Sequence, residues 1–250
     1  MSELRIIGLQ GFPEVHPGDD LARLILRTLA RNHLTLEDGD IVVVTQKVVS
    51  KAEGRLVRLA EVVPSPFAET VAAQWGRDAR QIEVVLREAR RIVRMDRGLI
   101  IAETHHGFIC ANAGVDASNV GQEGVVTLLP CDPDASAAAL RAVFRADTGK
   151  DVGVIISDTF GRPWRAGLTD VAIGVAGFLP IEDYRGRPDA YGHPLRVTAV
   201  AVADELAAAA ELAAGKATAI PVVLVRGYCA PRGEGNARML IRSAVEDLFR

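Results

Sequence analysis

The sequence predicts an α+β fold, a mixed α and β domain with room for two intimate subdomains. Short apolar runs rich in β-branched residues alternate with longer stretches whose apolar residues recur at helical spacing. At 250 residues, 49% of them hydrophobic, the chain can bury a substantial core. No repeat, low-complexity tract or obvious interdomain linker interrupts it. A formal net charge of -3 gives no general case for nucleic-acid or membrane-surface binding, so any anionic ligand must be met by local basic groups. A small-molecule site is expected. The N-terminus lacks a basic segment followed by a long apolar stretch, and no apolar run approaches the ~20 residues that span a bilayer, which points to the cytoplasm.

Taken in order, Leu4 to Leu9 reads as a strand and GFPEVHPGDD as a loop. Asp19 or Asp20 can cap a helix from Leu21 to Arg31, where Leu21, Leu24, Ile25 and Leu29 share a face. The polar turn EDGD leads into a buried strand, Ile41 to Thr45, and then to Gln46, Lys47 and Lys51; if that piece is helical, both lysines share a face. They would present two ammonium groups to one anion, or else form a solvated pair on an exposed turn. Phe67 to Arg94 reads as a charged, exposed helix. Leu99 to Ala102 and Gly107 to Cys110 read as strands joined through His105 and His106, a doublet that suits a hairpin turn better than one metal ion, because neighbours on a strand point to opposite faces.

Asn112 to Gly124, NAGVDASNVGQEG, places Asp116 and Asn119 three apart among small residues that let a ligand come close; Asx turns give the same composition. A strand from Val125 to Leu129 precedes a helix from about Ala135 to Ala146, capped by Asp132 or Asp134 and closed by Gly149. Beyond position 177, Asp183 to His193 is a polar loop, Leu195 to Ala203 a strand, Asp204 to Ala214 a helix closed by Gly215, and Ile220 to Arg226 a strand. The loop Gly227 to Asn236 leads to a last helix, Ala237 to Phe249. Cys110, Cys131 and Cys229 are odd in number and form no CxxC pair, so packing is expected of them instead of disulfides or structural zinc.

The most informative stretch is Asp151 to Gly177. Val152 to Ser157 reads as a buried strand that stops at Asp158 and Thr159, followed by the loop residues Phe160, Gly161, Arg162, Pro163, Trp164 and Arg165. A carboxylate and a hydroxyl beside two guanidinium groups suit a hard metal ion and a polyphosphate. Turn-forming residues flanked by solvated arginines would look the same. No Walker A sequence is present, so a nucleotide would need another cradle.

The blocks GFPEVHPGDD, VVVTQKVVSKAEGR, NAGVDASN and SDTFGRPWRAGLTDVAIGVAG, in this order and spacing, resemble the coenzyme F-420-0:L-glutamate ligases, or F-420 gamma-glutamyl ligases. The resemblance spans positions 8 to 177. It implies one ligase domain over 1–250, without the flavin-binding reductase-like domain that some relatives append, and a homodimer. It also implies a GTP-dependent amide ligase that adds one or more L-glutamates, gamma-linked, to the deazaflavin precursor F-420-0. By the same resemblance, Asp116, Asp158 and Thr159 hold two divalent cations, magnesium or manganese, with potassium as a further ion. Phe12, Pro13, Glu14, Val15, Gln46, Lys51 and Asn119 would line the GTP site, with Lys47 a weaker partner for the phosphates, and Lys51 and Asp158 would be catalytic. Gln46 stands where the family commonly has serine, and its amide can still donate to a phosphate. Arg162 and Arg165 are candidates for the anionic groups of the precursor. A metal-dependent phosphohydrolase or a non-catalytic nucleotide-binding protein would share some of these features.

Overall fold

The computed structural model describes residues 3–118, 123–243 and 245–247. Its first half runs β1 (Arg5–Gly8), α1 (Leu21–Arg31), β2 (Ile41–Thr45), α2 (Gln46–Ala52), β3 (Leu56–Arg58), α3 (Pro66–Trp75), α4 (Ala79–Glu88), β4 (Ala89–Asp96), β5 (Leu99–Thr104) and β6 (Ile109–Ala111). Its second half runs β7 (Val125–Thr127), α5 (Pro133–Thr148), β8 (Gly153–Arg162), β9 (Arg165–Ala176), β10 (Glu182–Asp183), β11 (Ala199–Val200), α6 (Val202–Ala214) and β12 (Val222–Arg226). The result is a single-domain α+β fold. Its main sheet has the order β1-β12-β2-β8-β9, in which β2 and β8 are parallel and the other pairs antiparallel.

The continuous apolar runs of β2, β8 and β12 form the sheet's centre because both faces are covered: Val44, Ile155, Ile156 and Leu224 are fully buried. α1 lays Leu21, Ile25, Thr28 and Leu29 inward, and the Asp20 carboxylate accepts the Arg23 N–H at 3.1 Å to close its first turn. α5 is capped the same way by Asp132 and ends at Gly149 with φ +71°, and α5 and α6 both pack on β9. A second apolar cluster joins Val71, Ile82, Val85, Ile100 and Val126, from α3, α4, β5 and β7.

Several expectations are corrected. Phe67 to Arg94 is two helices and a strand: Gly76 takes φ +62° and ends α3, Asp78 caps α4, and the arginine-rich remainder pairs with β5 as β4. Leu195 to Ala203 contributes only the two-residue β11, and α6 already begins at Val202. After Asn236 the described chain forms one short 3-10 turn, Ala237–Leu240, in place of a helix to Phe249, whose last residues lie outside the described ones. Cys110 is buried as expected, but Cys131 and Cys229 are exposed. Most consequential, the strand does not stop at Asp158: β8 continues to Arg162 and turns through Pro163 and Trp164 into β9 as one long hairpin.

Candidate functional site

The sheet register explains where the site forms. Parallel pairing sets Thr45 beside Ser157, so α2 starts next to Asp158 and Thr159, which continue in β8. The Thr45 N–H donates to the Pro221 carbonyl at 2.9 Å and the Leu9 N–H to the Val222 carbonyl at 2.9 Å, which brings the segment before β12 and the loop after β1 to the same edge. Such an edge, at the carboxyl ends of parallel strands, is a common place for a ligand crevice. Here it holds a cavity of about 770 Å³, in the range of small-molecule sites.

Phe12, Pro13, Glu14, Val15, Gln46, Lys47, Lys51, Asp116, Asp158 and Thr159 all line this cavity, although they are scattered over the chain. Asn119 lies outside the described residues. Arg162 and Arg165 are not among the lining residues. They sit on the exposed end of the hairpin, where Arg162 donates to the Ala166 carbonyl at 2.7 Å.

α2 is helical, so Lys47 and Lys51 share a face, but each ammonium meets a carboxylate. Lys51, nearly buried, reaches Glu14 at 2.5 Å. Lys47 reaches Asp116 at 2.6 Å and the Ser118 carbonyl at 2.8 Å. Gln46 is buried, with its side-chain oxygen accepting the Ser50 hydroxyl at 2.7 Å, which leaves its NH2 group to donate. Asp116 is delivered by a strained turn in which Asn112 and Ala113 both take φ +51°. Gly114 is needed there, because a Cβ would come within 2.6 Å of Leu129 Cγ.

Three residues were not anticipated from sequence. Asp170, buried in β9, is the register partner of Thr159 and accepts its hydroxyl at 2.6 Å. Lys216, just past α6, donates to Thr159 at 2.7 Å and Asp170 at 2.8 Å, and Glu211 lies 2.7 Å from the same ammonium. A carboxylate in the otherwise small and apolar run LTDVAIGVAG was a readable signal for Asp170. Lys216, in GKATA, carried none. A bulge between the Ile156 and Ser157 pairings adds twist just ahead of Asp158, and Asp158 and Thr159, though adjacent, both reach the cavity.

The charges are not equivalent. Burial opposes ionisation of Asp116, but the Lys47 ammonium and the Ser118 N–H and hydroxyl hold it below the usual carboxylate range. Asp158 is pushed up to about 7, chiefly by burial and further by the Asp170 and Asp116 charges. The Cys110 thiol, also on the cavity wall, is pushed up to about 12 by burial and by Asp158, so it is no nucleophile. Burial works against the Lys216 ammonium, yet the Asp170 and Glu211 hydrogen bonds raise it. Folded Asp158 thus keeps its proton up to about 7, whereas the unfolded group loses it near 3.8. Between those values the unfolded state binds fewer protons, so the metal-free protein should lose stability as pH rises through that window. Denaturant titrations at about pH 5 and about pH 7.5 check this: Asp158→Asn should flatten the slope, and an unchanged slope would reassign it to other groups.

Among the described lining residues, Glu14, Asp116, Asp158, Asp170 and Glu211 face Lys47, Lys51 and Lys216. With Asp158 ionised, five carboxylates against three ammonium groups leave two negative charges. Asp158 alone of the five has no ion-pair partner among the described residues. The donors are hard oxygens, the class that magnesium and manganese prefer. No three His, Cys, Asp or Glu side chains of the described residues converge as a ready-made metal cage. That set fits an ion that keeps its waters and shares phosphate oxygens with a substrate.

A family model described as F420-0:Gamma-glutamyl ligase matches residues 11–227 of the chain. Three proteins named coenzyme F420:L-glutamate ligase are similar over most of its length. That of Methanothermobacter thermautotrophicus is 46% identical over 252 residues, 99% of this chain and 99% of its own. That of Methanopyrus kandleri is 49% identical over 242 residues, 95% of this chain and 94% of its own. That of Methanocaldococcus jannaschii is 45% identical over 216 residues, 86% of each.

Proposed function

Because the chain belongs to the F420-0:gamma-glutamyl ligase family, we propose that it is a GTP-dependent ligase that joins L-glutamate to the deazaflavin precursor F-420-0 through an acyl phosphate. Glutamate ligation in coenzyme F-420 biosynthesis is the reaction of that family. GTP and the acyl phosphate are the finer part of the proposal.

The observation that carries it is the cavity's charge. A pocket with two excess negative charges would repel a polyphosphate and a carboxylate unless a cation enters with them. A divalent ion, magnesium or manganese, held by Asp158 with Asp116 and Thr159 nearby, would neutralise charge on the phosphate oxygens. The chemistry also needs activation, because a carboxylate does not condense with an amine in water. In the proposed sequence a carboxylate oxygen of the precursor attacks the terminal phosphorus of GTP, and the bond to the bridging oxygen breaks to release GDP. The glutamate amine then attacks the acyl carbon, loses a proton, and expels inorganic phosphate.

The chain's own groups suit these steps. Lys51 and Lys47 can exchange Glu14 and Asp116 for phosphate oxygens and stabilise the charge that develops during phosphoryl transfer. Phe12 to Val15 and the Gln46 NH2 group line the wall beside them. Phosphate release from GTP tests the reading: it should require both F-420-0 and L-glutamate, with one phosphate freed per glutamyl unit added. Release that ignores glutamate would mark a phosphohydrolase instead.

A further inference from the structure

We infer that Lys216 stands in place of a second divalent cation, so that the cavity takes one divalent ion per chain, at Asp158. The inference rests on the proposed reading of this cavity as a metal and phosphate site, and it revises the number of ions that the family resemblance implies.

Thr159, the residue that the resemblance assigns to an ion beside Asp158, is already engaged. Its hydroxyl donates to Asp170 at 2.6 Å and accepts from the Lys216 ammonium at 2.7 Å. The same ammonium reaches Asp170 at 2.8 Å and Glu211 at 2.7 Å. A lysine carries three N–H donors, and these three oxygens use all of them. The ammonium thus sits among one hydroxyl and two carboxylate oxygens, the oxygen set that a hard cation would take. A divalent ion entering there would have to break these bonds and would meet a like charge at contact distance.

Asp158 differs, since no described lysine or arginine pairs with it. Charge balance agrees. With Asp158 ionised, the two negative charges left on the cavity wall match one divalent ion. A tethered ammonium also cannot dissociate, so Lys216 stays beside Thr159, Asp170 and Glu211 through the reaction.

The test is a titration of the metal-stripped full chain with Mn2+, following the electron paramagnetic resonance signal of the free ion. Wild type and Lys216→Arg should bind one Mn2+ per chain, whereas Lys216→Gln, with the hydroxyl and both carboxylates released, should bind two. Lys216→Met gives the same readout if the glutamine variant does not fold. Two ions in wild type, or one in both neutral variants, would overturn the inference and leave the metal reading standing. No bound Mn2+ in any variant would overturn both.

Discussion

Replacing Asp158 with alanine should lower the rate of glutamyl transfer by about 10³-fold while leaving the chain folded, because several kcal/mol of charge stabilisation would go with the ion that Asp158 is proposed to hold. The fold should survive for a specific reason. The Asp158 carboxyl is pushed up to about 7 by burial and by neighbouring carboxylates, so the folded protein bears a cost for it that alanine removes. Thermal unfolding of the metal-free variant should therefore match or exceed wild type at neutral pH and above. Product formation measured beside the melting curve separates the two effects. A variant within tenfold of wild type in kcat/KM would remove Asp158 from the reaction.

The largest loss of stability is expected at Arg226, far from the cavity. Its guanidinium grips Asp40 with two hydrogen bonds, 2.8 Å from Nε and 2.7 Å from Nη2, and also donates to the Thr35 carbonyl at 2.7 Å. Asp40 is 1% exposed, and its backbone carbonyl accepts the Gly153 N–H at the start of β8. Removing the arginine leaves a buried carboxylate without its counter-charge, and with the Glu37 N–H still donating to it, where β12, β2 and β8 meet. Arg226→Ala should cost about 3–5 kcal/mol in urea unfolding. Arg226→Lys should recover only part of that, since an ammonium cannot make the two-pronged contact. A loss below about 1 kcal/mol would show that Asp40 finds other partners.

How much of this was legible in the sequence depended on whether the governing interactions were local. α1 and β2 have the predicted bounds because the Asp20 cap, the apolar stripe and the β-branched run all lie within their own segments. The stretch read as one helix from Phe67 failed because β4 is a strand only through its partner β5, and its exposed arginines carry no strand pattern of their own. The break expected at Asp158 failed for a related reason. Gly161 and Pro163 do mark a turn, but the hairpin holds its pairing up to Arg162, so Asp158 and Thr159 lie within a strand and not at its end.

The candidate site follows the same division. Motif resemblance named the residues on the β1 loop, α2, the loop before β7 and β8, and the sheet register brings those that are described to one cavity. Asp170 and Lys216 escaped notice because their roles come from contacts with Thr159, 11 and 57 positions away. Arg162 and Arg165 attracted attention by closeness in sequence, and the hairpin carries them away from the cavity.

On the proposed function, this cavity uses GTP to activate the precursor's carboxylate for capture by glutamate. The most direct measurement is the mass of F-420-0 after incubation with the purified chain, L-glutamate, Mg2+ or Mn2+, and GTP. The account predicts one or more added glutamyl units when all components are present and none when GTP or the divalent ion is left out. Glutamylated product formed equally well without GTP, or GTP consumed with the precursor's mass unchanged, would contradict it.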